Sequence, residues 1–238
     1  MSWYRERLAA FDIETTGVDV GLDRIVTAAI SLTDGDRLVE STNWLVDPGV
    51  DIPNGATRVH GITTERARAE GRVPAEAIDE IVTALANRMQ EGVPAVAFNA
   101  RFDLTVLDRE ARRYGVRPLL DRVGDAMLVV DPLILDKQFD RFRRGKRTLS
   151  AVCAHYGVQL DDAHAANADA LAAARIARKL AQTFAELGEA DPHALHGHQT
   201  VWAADQAASL ESYFRGQGRR EHVERTWPII PLPLANAA

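Results

Sequence analysis

Two carboxylates stand one residue apart at the end of an apolar run, AAFDIETTGVD, residues 9 to 19, in which Asp12 and Glu14 are followed by Thr15, Thr16 and Gly17. Successive side chains of a β-strand alternate between faces, so Asp12 and Glu14 project from one face while Ile13 packs on the other. Two like charges held side by side repel, and a bound divalent cation is the strongest offset; a solvated strand end is the plain alternative. Mg²⁺ takes carboxylates, waters and substrate phosphates in near-octahedral geometry, so further oxygen ligands must arrive from elsewhere. Asp103 in NARFD and Asp169 in HAANADALAAARIARKL are candidates, each also suited to an ordinary capping role at a helix start. His164 lies five residues before Asp169, and at about 100° per residue the two share a site only if His164 belongs to the preceding loop. Asp161, Asp162 and Asn167 fit such a loop. A histidine that titrates near neutrality suits general-base work on a water, whereas loop histidines otherwise commonly sit idle in solvent.

The surrounding pattern supplies the elements that must position these groups. Residues 7 to 13, 25 to 33 and 38 to 46 read as strands, with the hairpin turn sequence Asp34-Gly35-Asp36 between the last two. Pro48, Pro53 and Gly55 break the pattern before HGITTERARAE, where Thr63 or Thr64 can N-cap a helix. Ile78, Ile81, Val82, Leu85 and Met89 recur at helical spacing over residues 74 to 90. PAVAF, residues 94 to 98, is a short buried-strand pattern leading into a helix whose apolar face is Leu104, Leu107, Ala111 and Tyr114, closed by Gly115. Pairing of that strand with the first brings Asp103 near the end of strand one. AMLVVD, residues 126 to 131, reads as a fifth strand whose Asp131, before Pro132, is a strand-end residue and not a fifth ligand. LSAVCAHYG and an alanine-rich helix from about 168 to 187 complete the unit. The prediction is an α/β fold, a mixed five-stranded sheet flanked by helices. We place the compact domain at residues 1–187 and a C-terminal extension at 188–238, with a helix over 195 to 216 and the extended, Pro-rich tail WPIIPLPLANAA.

A chain of 238 residues with 46% hydrophobic content can bury a proper core. Its net charge of -6 argues against nonspecific coating of nucleic acid, which relies on a broad positive field, but leaves room for an enzyme that holds one strand end. Cys153 is the single cysteine, so no internal disulfide forms and a reducing compartment is expected. The N-terminus MSWYRERLAAFDI lacks the apolar core of a signal peptide, and no segment approaches about 18 unbroken apolar residues; a cytoplasmic protein away from membranes is expected.

Taken together, Asp12-Ile13-Glu14-Thr15-Thr16-Gly17, Asn99 to Asp103 as N-A-x-F-D, and His164 to Ala170 as H-x-A-x-x-D-A resemble the three motifs of the DEDDh exonucleases. More narrowly, the chain resembles the epsilon-like proofreading exonucleases of bacterial DNA polymerase III over about residues 7 to 187, including His60-Gly61-Ile62-Thr63, similar to the family's HGIT segment. Single motifs of this kind are weak signals, and three in order are a strong one. The resemblance implies a ribonuclease-H-like fold and a 3′-to-5′ exonuclease that releases nucleoside 5′-monophosphates from single-stranded ends. It implies two Mg²⁺ or Mn²⁺ ions on Asp12, Glu14, Asp103 and Asp169, with Asp12 bridging and His164 taking the proton from the attacking water.

The resemblance further implies that Thr15, Thr16 and Gly17 contact the 3′-terminal nucleotide, where backbone amides meet little side-chain obstruction. His60 and Phe102 are candidate contacts to terminal bases or sugars; Phe102 is equally suited to core packing. Arg141, Arg143, Arg144, Lys146 and Arg147 form the densest positive run, placed either on the strand's approach path or in a solvated loop. DNA is the favoured substrate, RNA the alternative, and one sequence does not show the 2′-hydroxyl pocket that separates them. The tail WPIIPLPL has the form of a docking peptide for a polymerase or repair partner, with its tryptophan exposed, or else packs back on its own domain.

Overall fold

The computed structural model describes residues 2–160 and 164–232. Strands β1 (Arg7–Thr15), β2 (Ile25–Asp34) and β3 (Arg37–Leu45) form an antiparallel meander, and β4 (Ala95–Val96) and β5 (Val129–Val130) add parallel on the other side. The order is β3-β2-β1-β4-β5, which puts β1 in the middle of the sheet. Gly35, with φ +56°, makes the β2–β3 turn. The helices are α1 (Asn54–His60), α2 (Thr64–Glu70), α3 (Pro74–Gln90), α4 (Ala100–Arg113), α5 (Leu119–Val123), α6 (Pro132–Phe139), α7 (Leu149–Tyr156), α8 (Ala166–Thr183), α9 (Ala185–Glu189) and α10 (Pro192–Gly216). This is the mixed, helix-flanked sheet that the residue pattern predicts.

Two cores lie on the two faces, and β1 divides its residues between them. Phe11 and Ile13 pack with Ile78, Ile81, Leu85, Leu104 and Leu107 under α3 and α4. Leu8 and Ala10 pack with Ala173, Ala174, Ile176, Ala177 and Leu180 under α8. Because the side-chain period is two, Asp12 and Glu14 continue the row of Leu8 and Ala10 and emerge on the α8 face where that core ends. The alanines of α8 keep the helix close to the sheet, and buried Arg178 ties it to the start of β1 through the carbonyls of Tyr4 and Glu6 and the hydroxyl of Thr33.

Several elements depart from expectation for identifiable reasons. The β4 and β5 ladders are shorter than the apolar runs that contain them. The chain leaves β4 through Asn99, at φ +69°, into α4, and leaves β5 through Asp131-Pro132 into α6. Asp131 accepts from the Leu133 amide as N-cap, with Pro132 at the first helical position, so the residue assigned to a strand end starts an unforeseen helix. Pro53 ends the irregular stretch after β3 and stands at the N-cap of α1, a second unforeseen helix. Phe184, in extended conformation, stops α8 before the expected residue 187.

The exposed edge of β5 is covered by α10. Fully buried Gln199 accepts from the Asp131 amide (2.7 Å) and donates to the Val129 carbonyl (2.9 Å), while His196 Nδ1 accepts from the Val129 amide (3.1 Å). Two side chains thus stand where a sixth strand's backbone would be. The tail then returns to α4: Ile230 donates its amide to Thr105 Oγ1 (3.0 Å), and Arg109 donates to the carbonyls of Ile230 (2.7 Å) and Pro231 (3.1 Å). Of the two placements open to the tail, it is the second that holds: Trp227 is buried in the α3–α4 core, because these polar contacts hold its segment against that face. The last residues of WPIIPLPLANAA, 233–238, lie outside the described residues.

Candidate active site

Carboxylates from three elements converge at the end of β1. Residues 9 and 13 direct their amides toward the β4 edge; Ala9 donates to the Pro94 carbonyl (2.9 Å). The β1–β4 ladder ends at Ala10, so the Ile13 amide has no strand partner there, and Asp103 Oδ1 accepts from it at 3.2 Å. Asp103 therefore reaches β1 from the first turn of α4 and is 4% exposed. Asp169, in the first turn of α8, approaches from the other face, and its carboxylate accepts from the His164 amide (3.4 and 3.3 Å). Donor atoms of Glu14, His164 and Asp169 lie within 4.8 Å of one another. Asp161 and Asp162 of the preceding loop lie outside the described residues.

The backbone is unusual at this site. The β1–β2 register shifts between Glu14 and Thr15, the kind of irregularity that re-aims a side chain at a strand end. Among the described residues the non-glycine residues with positive φ are Asn99 (69°) and His164 (72°), one at the start of each carboxylate-bearing helix region. Such conformations persist only where surroundings impose them. Around Asn99 the agent is Asp131, whose carboxylate accepts from the amides of Asn99 (3.0 Å), Ala100 (2.9 Å) and Leu133 (3.0 Å), joining the starts of α4 and α6. Asp131 thus positions the turn that carries Asp103. An Asp-Pro helix-start signature marks it in the sequence.

The electrostatics reflect the crowding of acids. Burial, then Asp103, Glu14 and Asp169, raise Asp12 well above the usual carboxylate range. Burial and Asp169 push Glu14 up to about 7. Burial raises Asp103, with its own and the Ile13 amides opposing. Burial also raises Asp169, against the pull of His164. Among the described residues no Lys or Arg forms an ion pair with any of the four. Uncompensated carboxylates in this number, with oxygen-only donors and one adjacent imidazole, fit hard divalent cations.

The expected substrate contacts fare differently. His60 lines a cavity of about 220 Å³ together with Glu14, Ile62, Arg66, His164 and Asn167. Its Nδ1 accepts from the Ile62 amide (3.1 Å), leaving Nε2 as the protonated nitrogen of the neutral ring; burial lowers its pKa. Thr15 and Thr16 are buried and their hydroxyls are engaged: Thr15 donates to the Gly17 carbonyl (2.5 Å) and Thr16 to Asp23 (2.7 Å). The Thr16 amide donates to the Arg24 carbonyl (3.0 Å), so it is not free for a nucleotide as expected. Gly17 also makes room for Asp23, since a Cβ there would stand 2.6 Å from Asp23 Oδ2 and displace that side chain. Phe102 packs half-buried against the α3–α4 core. Of the basic run, Arg143 and Arg147 clamp the fully buried Asp136 (2.8 and 2.5 Å) because that carboxylate needs partners, and only Arg141, Arg144 and Lys146 remain exposed.

A mixed sheet that carries clustered acids at the end of its central strand is the architecture of a ribonuclease-H-like nuclease. Residues 9–177 match the family model RNase_T, described as exonuclease, and the chain belongs to that family. It is 30% identical over 174 residues to a PolC-type DNA polymerase III of Clostridium perfringens, covering 73% of this chain and 11% of the relative. It is 40% identical over 119 residues to a DNA polymerase III subunit epsilon-like protein of Rhodobacter capsulatus, covering 48% and 16%. The chain thus spans a small part of these relatives. Among solved structures, E. coli exonuclease I in complex with a dT13 oligonucleotide superposes with a TM-score of 0.62 at 23% identity, covering 73% of this chain and 40% of that one. A zinc-bound form of an E. coli exonuclease I complex with single-stranded DNA gives 0.67 at 22% identity, covering 77% and 42%. Among the described residues no helix is long and apolar enough to cross a membrane.

Proposed function

We propose that this exonuclease removes nucleotides from the 3′ end of single-stranded DNA, with Asp12, Glu14, Asp103 and Asp169 holding two Mg²⁺ or Mn²⁺ ions. The observation that carries this reading is the convergence of four carboxylates from β1, α4 and α8 with no cationic partner among the described residues. When bound, such ions supply charge neutralisation and polarisation of the scissile phosphate. The protein's own groups do the rest. Asp12, which feels the charge of all three other acids, would be the carboxylate placed to serve both ions. His164, with donor atoms close to Glu14 and Asp169, accepts the proton of the attacking water. His60 and the amides of Thr15 and Gly17 border the terminal nucleotide, whose release as a 5′-monophosphate leaves a new 3′ hydroxyl on the strand.

DNA is favoured because the solved neighbours hold DNA oligonucleotides, and the relatives named as DNA polymerase III favour a proofreading or repair setting, with a polymerase as partner. The test is degradation of a 5′-labelled single strand with Mg²⁺ or Mn²⁺, beside its RNA counterpart, a chelator control and Asp12→Ala. A ladder shortening from the 3′ end on DNA, absent in both controls, is expected. Preference for the ribo-oligomer would overturn the choice of substrate, and no shortening of either would overturn the reaction.

A further inference from the structure

A second cavity, of about 750 Å³, opens on the side of α4 away from the carboxylates, between α6, α10 and the returning tail. It begins at Asn99 and Arg101, and its polar wall carries Lys137 and Arg141. Arg147 also lines it but is spent on Asp136. The other wall, which includes Tyr213 (61% exposed), comes from α10 and the tail, beyond the residues that the family model covers. This pocket is therefore a property of this chain and its extension.

Its cations are short of partners among the described residues. Lys137 is half-buried and forms no hydrogen bond or ion pair with them; burial lowers its pKa, and the attraction of Asp131 and Asp136 is opposed by the like charges of Arg147 and Arg101. Arg101 donates one nitrogen to the Glu224 carbonyl (2.7 Å), while its buried Nε has none. Of the two carboxylates in the lining, Asp131 is already occupied by three amides and Asp205 stands exposed. A half-buried, cation-rich wall facing an exposed aromatic calls for a ligand with both phosphate and a flat apolar face. Arg101 and Asp103 are two residues apart and so flank opposite sides of the first turn of α4, a helix width of about 10 Å, a distance short enough for one strand to reach from the carboxylates to the cavity.

We propose that this cavity is a second nucleic-acid subsite that holds the strand a few nucleotides upstream of the cleaved bond, with Lys137, Arg101 and Arg141 on phosphates and Tyr213 stacking on a base. The proposal rests on the exonuclease reading. The test measures binding of a fluorescent DNA of about ten nucleotides and of a trinucleotide to the full chain in EDTA, over a salt series. The longer strand binds more tightly. Lys137→Ala weakens it about fivefold and reduces the steepness of log K against log salt by about 0.7, the value for one contact on a single strand. Lys137→Arg restores the slope, and Tyr213→Ala weakens binding about tenfold with the slope kept. With Mg²⁺, Lys137→Ala raises KM on the longer strand and leaves kcat within about twofold. Equal affinity for both lengths, or an unchanged salt slope in Lys137→Ala, overturns the subsite. So does loss in that variant of binding to an acidic peptide with DNA binding intact, which would make the cavity a protein-docking site. Length-dependent binding without any cleavage refutes the exonuclease reading and leaves the subsite standing.

Discussion

The crowded acids make a prediction about the metal-free protein: Glu14→Gln abolishes activity and yet stabilises the fold at neutral pH. Glu14 moves from an ordinary 4.5 to about 7 in the folded chain, through burial first and Asp169 second. A carboxyl whose folded pKa is raised binds more protons in the native state than in the unfolded one, so stability falls as pH rises between the two values. Below about pH 4.5 Glu14 is neutral in both states and imposes no penalty; above about pH 7 the full penalty is present. The shift corresponds to about 3 kcal/mol, and the side chain's partial exposure reduces this to about 2 kcal/mol. For a domain of this size that is about 4 to 8 °C in Tm. Thermal melts in EDTA across pH 4 to 8 should show Glu14→Gln gaining on the wild type as pH rises, with the two converging at the acid end. Mg²⁺ should raise the Tm of the wild type by mass action and that of the variant much less. A variant that melts at or below the wild type at pH 8 in EDTA would refute the claim that these carboxylates repel one another uncompensated.

Three further outcomes are expected. Asp131→Ala strips the acceptor from the amides of Asn99, Ala100 and Leu133, and should lower the unfolding free energy by about 2 to 5 kcal/mol in denaturant titrations, with activity falling as the start of α4 shifts. Gly17→Ala forces Asp23 off Thr16 and the Asp19 amide and should cost about 1 to 2 kcal/mol, whereas adding Asp23→Ala should cost less than the sum of the two single changes, as a double-mutant cycle by thermal melting would show. Trp227→Ala should lower Tm by about 10 °C, from about 3 to 5 kcal/mol of lost burial; an unchanged Tm would mean that the tail is undocked in solution.

What the sequence reveals about the sheet, and what it hides, divides along the range of the interactions. Strand periodicity and the Asp34-Gly35-Asp36 turn are local, and β1, β2 and β3 appear within two residues of their expected bounds. The same period of two places Asp12 and Glu14 on one face, and the helix starts at Asn99 and near residue 168 locate Asp103 and Asp169, so the acidic cluster is legible in the residues alone. The hidden parts depend on partners far along the chain. Arg143 and Arg147 look like free phosphate ligands until α6, itself concealed in an apolar run, presents a buried Asp136 to them.

The tail is hidden for the same reason, and its destination bears on the site. An extended, proline-broken segment carries no periodicity, so only the surface it reaches decides whether Trp227 is exposed, and that surface is set by Thr105, Arg109 and Arg101 on α4. These three stand on the helix whose first turn carries Asp103. The tail and α10 therefore brace α4 and β5 from the side opposite the carboxylates, Gln199 through the Asp131 amide and Asp131 through the turn at Asn99. A chain of contacts runs from the extension to the residue that receives the Ile13 amide. Changes at Gln199 should accordingly be felt as displacement of Asp103, and Gln199→Leu, which keeps the volume and removes the two hydrogen bonds to β5 backbone, isolates that effect. The expected result is reduced kcat with melting lowered by only a few degrees; activity equal to wild type at equal folded fraction would show that α10 covers the sheet edge without positioning the site.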